Sequence, residues 1–126
     1  MMASVCVADD DGDLRTIYSA ALRADGHQVF EAADGAEALR RVRDESPSLL
    51  LLDLWMPGLD GFEVLEALRN VESGTRTKVI VLSAAPDADS RLGAYGAGAA
   101  EVLVKGLPLA ELRACVRRAL EPEESS

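Results

Sequence analysis

Four consecutive leucines, Leu49–Leu52, run straight into an aspartate, Asp53. A strand that is apolar at every position is buried on both faces, and that burial calls for a parallel sheet with helices packed on either side. Four further short runs read as strands: Val5–Ala8, Gln28–Ala32, Lys78–Leu82 and Glu101–Val104. Helical spacing fills the gaps. Leu14, Ile17, Tyr18, Ala21 and Leu22 make one apolar face, Val64, Leu65, Leu68 and Val71 another, and Leu109, Leu112, Val116, Ala119 and Leu120 a last one. Five strands alternating with five helices predict an α/β fold whose parallel sheet is covered on both sides, with Leu49–Leu52 as a central strand.

Local signals mark the boundaries. Asp34 and Asp60 each precede an acid three residues on, Glu37 and Glu63, in the pattern of a capping box. Gly26 sits where the first helix must stop, as a left-handed residue would, and Pro108 suits the first turn of the last helix. The segment Asp87–Ala99 carries Gly93, Gly96 and Gly98 and a thin apolar face of Leu92, Tyr95 and alanines. Interior glycines weaken a helix by about 1 kcal/mol each, so this is either the element most free to move or one packed unusually close. The unit spans residues 4–120, and 121–126 reads as a tail or the start of a linker.

Composition narrows function. At 126 residues the chain is one domain, and 48% hydrophobic residues exclude a disordered reading. Thirteen Lys and Arg against 22 Asp and Glu leave a net charge of −9, which argues against direct nucleic-acid binding, because phosphate recognition needs a basic face. No apolar run approaches a membrane span, and the acidic N-terminus lacks the basic region of a signal peptide. Cys6 and Cys115 stand far apart and read as buried thiols in a reducing, cytoplasmic setting.

In an open parallel sheet, ligands bind beyond the carboxyl ends of the strands, where the strand order reverses. Asp9 and Asp10 follow the first strand, Asp53 the third, Ser83 the fourth and Lys105 the fifth. Three carboxylates gathered at one edge repel each other and need a cation. All-oxygen donors with a phosphate ligand favour Mg²⁺. One carboxylate can then act as a nucleophile and become an aspartyl phosphate, with Lys105 and the Ser83 hydroxyl neutralising the transferred group. Taken singly, most of these residues have plainer readings. Asp11 and Asp13 read as helix-cap acids, Asp9–Asp10 equally as an acidic turn, Lys105 as a surface lysine, and His27 as a bystander in a turn. Asp53 is harder to dismiss, since a carboxylate after four leucines is partly desolvated and needs a partner.

The segments VADDDGDLR (Val7–Arg15), LLLLDLWMPGLDGFEVL (Leu49–Leu65), VIVLSA (Val79–Ala84) and GAAEVLVK (Gly98–Lys105) resemble the receiver domain of bacterial two-component response regulators. That resemblance implies a flavodoxin-like, doubly wound five-stranded sheet in the order 2-1-3-4-5 with five flanking helices. It implies a phosphorylation-activated switch that takes a phosphoryl group on Asp53 from a histidine kinase or phosphotransfer protein. Mg²⁺ would be held by Asp10, Asp53 and the backbone carbonyl of Trp55, with Asp9 acting through water. Lys105 would pair with Asp53 and then with the phosphoryl group, and Ser83 would turn toward it. The chain would then be no enzyme beyond its own phosphoryl transfer and slow autodephosphorylation.

The resemblance also assigns surfaces. The first helix, around Leu14, Arg15 and Tyr18, would meet the phosphodonor. The glycine-rich helix, fifth strand and last helix would meet an output partner or a second copy in a homodimer, with Arg91, Glu111, Arg113 and Arg117 available for ion pairs.

Four positions depart from the family pattern. Val102 replaces the usual aromatic switch residue, so coupling would pass through Leu103, Tyr95 or the backbone. Gly106 replaces the usual proline after the lysine, and a trans bond is expected there. Trp55 and Ala85 flank the pocket with apolar groups, which predicts slow hydrolysis of the phosphorylated form. Other functions on this fold fit less well. A dehalogenase-like aspartyl phosphatase needs an acid where Trp55 stands. Nucleotide-binding domains need a glycine-rich phosphate loop, which does not follow the first strand. A degenerate receiver that works as a phosphorylation-independent interaction module would not need the full acidic set and its lysine.

Overall fold

The computed structural model describes residues 3–70, 76–84 and 87–121. Strands and helices alternate throughout: β1 (Ser4–Ala8), α1 (Gly12–Ala24), β2 (Gln28–Ala32), α2 (Gly35–Glu45), β3 (Leu49–Asp53), α3 (Gly61–Arg69), β4 (Lys78–Ser83), α4 (Ala88–Gly96), β5 (Glu101–Val104) and α5 (Leu109–Leu120). All four ladders are parallel and the order is β2-β1-β3-β4-β5, as the resemblance implies. From β1 the chain steps to β2 on one side and then returns past β1 to β3 on the other. The crevice beyond the carboxyl ends of β1 and β3 is therefore the topological switch point.

Strand alternation sorts the core into two layers. Cys6, Ala8, Leu50 and Leu52 face a cluster with Ala38 and Val42 of α2, Val64, Leu65 and Leu68 of α3, and Ala94 of α4. Val5, Val7, Leu49 and Leu51 face the other side with Tyr18 and Leu22 of α1 and Leu112, Cys115 and Val116 of α5. Every residue of β3 is buried, as its unbroken leucine run requires. Cys6 and Cys115 lie in opposite layers as buried free thiols.

Several expectations shift by a residue or a face. β1 begins at Ser4, one residue early. β3 extends through Asp53 and β4 through Ser83, so both polar residues end strands rather than follow them. The ladder explains this: Asp53 pairs in register with Leu82, and Ser83 pairs with Val104. Ile17 is exposed while Ser19 is fully buried, because α1 rests on the sheet along Tyr18, Ser19 and Leu22. In α5 Leu109 is exposed and Cys115 takes an inward place. Leu92 and Tyr95 are not the buried face of α4; both are exposed, and Ala94 packs inward instead. Val71 of the α3 face lies outside the described residues.

Four helices start on an aspartate cap: Asp11, Asp34, Asp60 and Asp87 accept first-turn amide hydrogens. Asp60 and Glu63 form the full reciprocal box at 2.9 and 3.1 Å. At Asp34 only the Glu37 amide donates, at 2.8 Å. Pro108 is the cap of α5 rather than part of its first turn. Gly26 ends the α1 turn at φ +92°, as expected. In α4, Gly93 allows close packing: a Cβ there would lie 3.1 Å from the ring of Phe62, whereas one at Gly96 would meet nothing.

Candidate functional site

The switch-point crevice gathers Asp9, Asp10 and Asp53, with one carboxylate oxygen from each lying within 4.8 Å of the others. Asp9 is 1% exposed and Asp53 3%, while Asp10 is open to solvent. Asp53 is positioned from both sides along the chain. Leu54 donates to the Leu82 carbonyl at 3.0 Å, continuing the β3–β4 ladder, and Gly61 donates to the Leu54 carbonyl at 2.7 Å. A Cβ at Gly61 would fall 2.7 Å from the Leu54 Cα, so only glycine lets α3 begin this close to the end of β3. The Trp55 amide donates to Asp53 Oδ1 at 3.2 Å.

Lys105 bridges two of the acids. Its Nζ donates to Asp53 Oδ2 at 3.0 Å and to Asp9 Oδ1 at 3.1 Å. The pairing with Asp53 was expected; that with Asp9 was not. Burial would lower the lysine pKa, but the hydrogen bonds it donates to the two carboxylates, with their charge, outweigh burial and hold the ammonium above its ordinary value. Asp53 is driven the other way. Its carboxyl is raised from 3.8 to about 6, chiefly by desolvation, which outweighs the opposing Lys105 hydrogen bond, and in part by the Asp9 charge. Three acids against one ammonium leave excess negative charge in a crevice where two of the carboxylates are buried.

Two buried polar atoms mark where that imbalance would be relieved. Asp9 Oδ2 and Ser83 Oγ are both buried and have no hydrogen-bond partner among the described residues. Ser83 ends β4 beside the strand that carries Asp53. A cluster of oxygen donors with an orphaned carboxylate oxygen suits a hard divalent cation, and an orphaned hydroxyl suits an incoming anionic oxygen. The donor set therefore fits a magnesium-type ion.

The model for the response regulator receiver domain matches residues 5–117. The chain belongs to that family. Among curated relatives, the transcriptional regulatory protein PrrA of Mycobacterium tuberculosis is 42% identical over 97% of this chain. The match takes in 52% of PrrA, so this chain spans about half the length of the curated relative. Chemotaxis protein CheY4 of Vibrio cholerae superposes with a TM-score of 0.90 at 29% identity, over 95% of this chain and all of CheY4. The receiver domain of sensor histidine kinase PA1611 of Pseudomonas aeruginosa, whose active-site cleft coordinates a magnesium ion, superposes at 0.85 with 29% identity over 94% and 97% of the two chains. No helix among the described residues is long and apolar enough to cross a membrane.

The structure revises several residue expectations for this receiver domain. Tyr18 is 1% exposed and cannot serve as a contact for a partner on α1. Arg15 turns partly inward, donating from Nη1 to the Asp9 carbonyl at 2.6 Å and pairing with Glu31 at 3.4 Å. Arg113 is engaged within the chain by a two-point pair with Asp25. Arg91 bonds the Val102 carbonyl at 3.4 Å, and the Val102 amide donates to the Tyr95 hydroxyl at 3.2 Å. Val102 itself is buried. The bond before Gly106 is trans, and Gly106 has φ +84°, a conformation closed to proline. Trp55 is 57% exposed and meets Phe62 edge-on at 5.9 Å. Ala85 lies outside the described residues. Sequence reasoning missed Gly61 and the second partner of Lys105, since both depend on approaches between distant segments.

Proposed function

We propose that this receiver domain accepts a phosphoryl group on Asp53 from a sensor histidine kinase or histidine phosphotransfer protein. The observation that carries the reading is the buried Asp53–Lys105–Asp9 bridge beside two unpartnered buried oxygens, Asp9 Oδ2 and Ser83 Oγ. An Asp53 carboxylate oxygen attacks the phosphorus, the phosphorus–nitrogen bond to the donor imidazole breaks, and the imidazole leaves with the bonding pair. Asp10, Asp53 and the Trp55 carbonyl would hold Mg²⁺ directly, and Asp9 through water. Bound there, the ion would neutralise charge on the phosphoryl oxygens and the carboxylates. Lys105 exchanges its bond to Asp53 for one to a phosphoryl oxygen, and the Ser83 hydroxyl donates to another.

The chain then acts on itself and turns over no separate substrate. Trp55, two residues beyond Asp53, carries no group able to exchange a proton with a water or a leaving group, which supports slow autodephosphorylation and argues against a phosphatase acting on other molecules. The exposed side chains Leu92, Tyr95, Val104 and Leu109 support an output or homodimer face on α4, β5 and α5. DNA binding would belong to a segment outside this acidic domain.

Intact mass after incubation with acetyl phosphate and Mg²⁺ tests the reading. One phosphoryl group should be gained by the wild type and none by Asp53→Asn or by the wild type in EDTA. A gain that survives Asp53→Asn would place the acceptor elsewhere.

A further inference from the structure

Lys105 has a long, flexible stem, so where its ammonium rests depends on how firmly its backbone is anchored. Three bonds anchor it. Its own amide donates to the Ser83 carbonyl at 2.7 Å, the Leu107 amide closes a turn onto the Val104 carbonyl at 3.2 Å, and the Gly106 amide donates to the Tyr18 hydroxyl at 3.0 Å. Gly106, at φ +84°, occupies the turn position that demands a positive φ. The third bond is the only one that reaches outside β4, β5 and the turn itself. Tyr18 is buried in the α1–α5 layer with Leu22, Leu112 and Val116, which leaves its hydroxyl little freedom to move away.

We infer that Tyr18 is a positioning residue for the phosphoryl-transfer site. Its hydroxyl pins the Gly106 amide, fixes the turn that follows Lys105, and so keeps the ammonium between Asp9 and Asp53. The ring fills the core, and phenylalanine would fill it equally well; the positioning belongs to the hydroxyl alone. The inference rests on the proposed role of Lys105 in handling the phosphoryl group.

The chain has only two lysines, Lys78 and Lys105, so each is the other's reference in one digest. Trace acetylation of the native metal-free protein, read by peptide mass, gives the ratio of Lys105 to Lys78 labelling. Tyr18→Phe should raise that ratio about three- to tenfold, the range set by loss of one hydrogen bond, and slow phosphorylation by acetyl phosphate by a comparable factor. Should Tyr18→Phe fail to fold, Tyr18→Met removes the same hydroxyl while keeping an apolar side chain in the layer, and should raise the ratio too. Val42→Ala, in the opposite core layer, should leave the ratio unchanged while lowering stability. An unchanged ratio in Tyr18→Phe, or an equal rise in Val42→Ala, overturns the inference. Wild-type phosphorylation by Lys105→Met would instead overturn the role proposed for the lysine, while the labelling ratio would still report on positioning.

Discussion

Asp53→Asn should stabilise the metal-free protein, and by an amount that depends on pH. In the fold the Asp53 carboxyl is raised from 3.8 to about 6, chiefly by desolvation. The native state therefore binds this proton more tightly than the unfolded chain does, and stability falls as pH climbs through that interval. At roughly 1.4 kcal/mol for each pH decade, the ionised carboxylate costs the native state about 3 kcal/mol above pH 6, and nothing below the unfolded value. Asparagine keeps the shape and removes the titration. Urea unfolding of wild type and Asp53→Asn in EDTA, at pH 4.5 and pH 8, isolates the effect. The advantage of the variant should grow by about 2 kcal/mol between those conditions, which moves the urea midpoint by roughly 1 M. Lys105 bonds both Asp53 and Asp9, so replacing residue 53 also alters its neighbours' contacts, and the change between the two pH values is the informative quantity. A variant advantage that stays flat across this range, or that grows toward acid, would refute the reasoning.

Other outcomes follow from the same geometry. Magnesium should raise the thermal midpoint of the wild type at pH 8 far more than that of Asp53→Asn, measured by differential scanning fluorimetry, because a bound cation stabilises only the fold that gathers its ligands. Gly61→Ala, whose Cβ would lie 2.7 Å from the Leu54 Cα, should cost about 1–3 kcal/mol in urea unfolding and slow phosphorylation, since α3 must back away from the end of β3. Gly96→Ala, with open space around its Cβ, should stabilise α4 by about 0.5–1 kcal/mol; Gly93→Ala should gain less, because its methyl meets the Phe62 ring. Cys6, its thiol pushed up to about 12 by burial, should resist a thiol-specific dye in the native protein and react once urea exposes it.

What could be read directly from the chain was whatever repeats at short range. A run of four leucines needs cover on both faces wherever it goes, and aspartates three residues ahead of glutamates cap helices by bonds within a single turn. Alternation of those short signals was enough for the strand and helix sequence. The spacing of acids and lysine after the strands then named Asp9, Asp10, Asp53 and Lys105 as one edge of the sheet. Apolar spacing alone misplaced Ile17, Leu92, Tyr95 and Leu109, because a helix shows several plausible stripes and its rotation is settled by what it packs against.

Contacts between segments far apart in sequence were decided only by the folded chain. Lys105 bonds Asp9 as well as Asp53, Gly106 bonds Tyr18, and Arg113 bonds Asp25. The bonds to Asp9, Tyr18 and Asp25 each join residues at least 88 positions apart. No local pattern encodes such a pair, because it forms where the crossing of helices and sheet happens to bring two side chains within 3 Å or so. The same holds for charge: that the carboxylate after the leucines resists ionisation follows from how much water the assembled crevice excludes, a property of packing and not of sequence order.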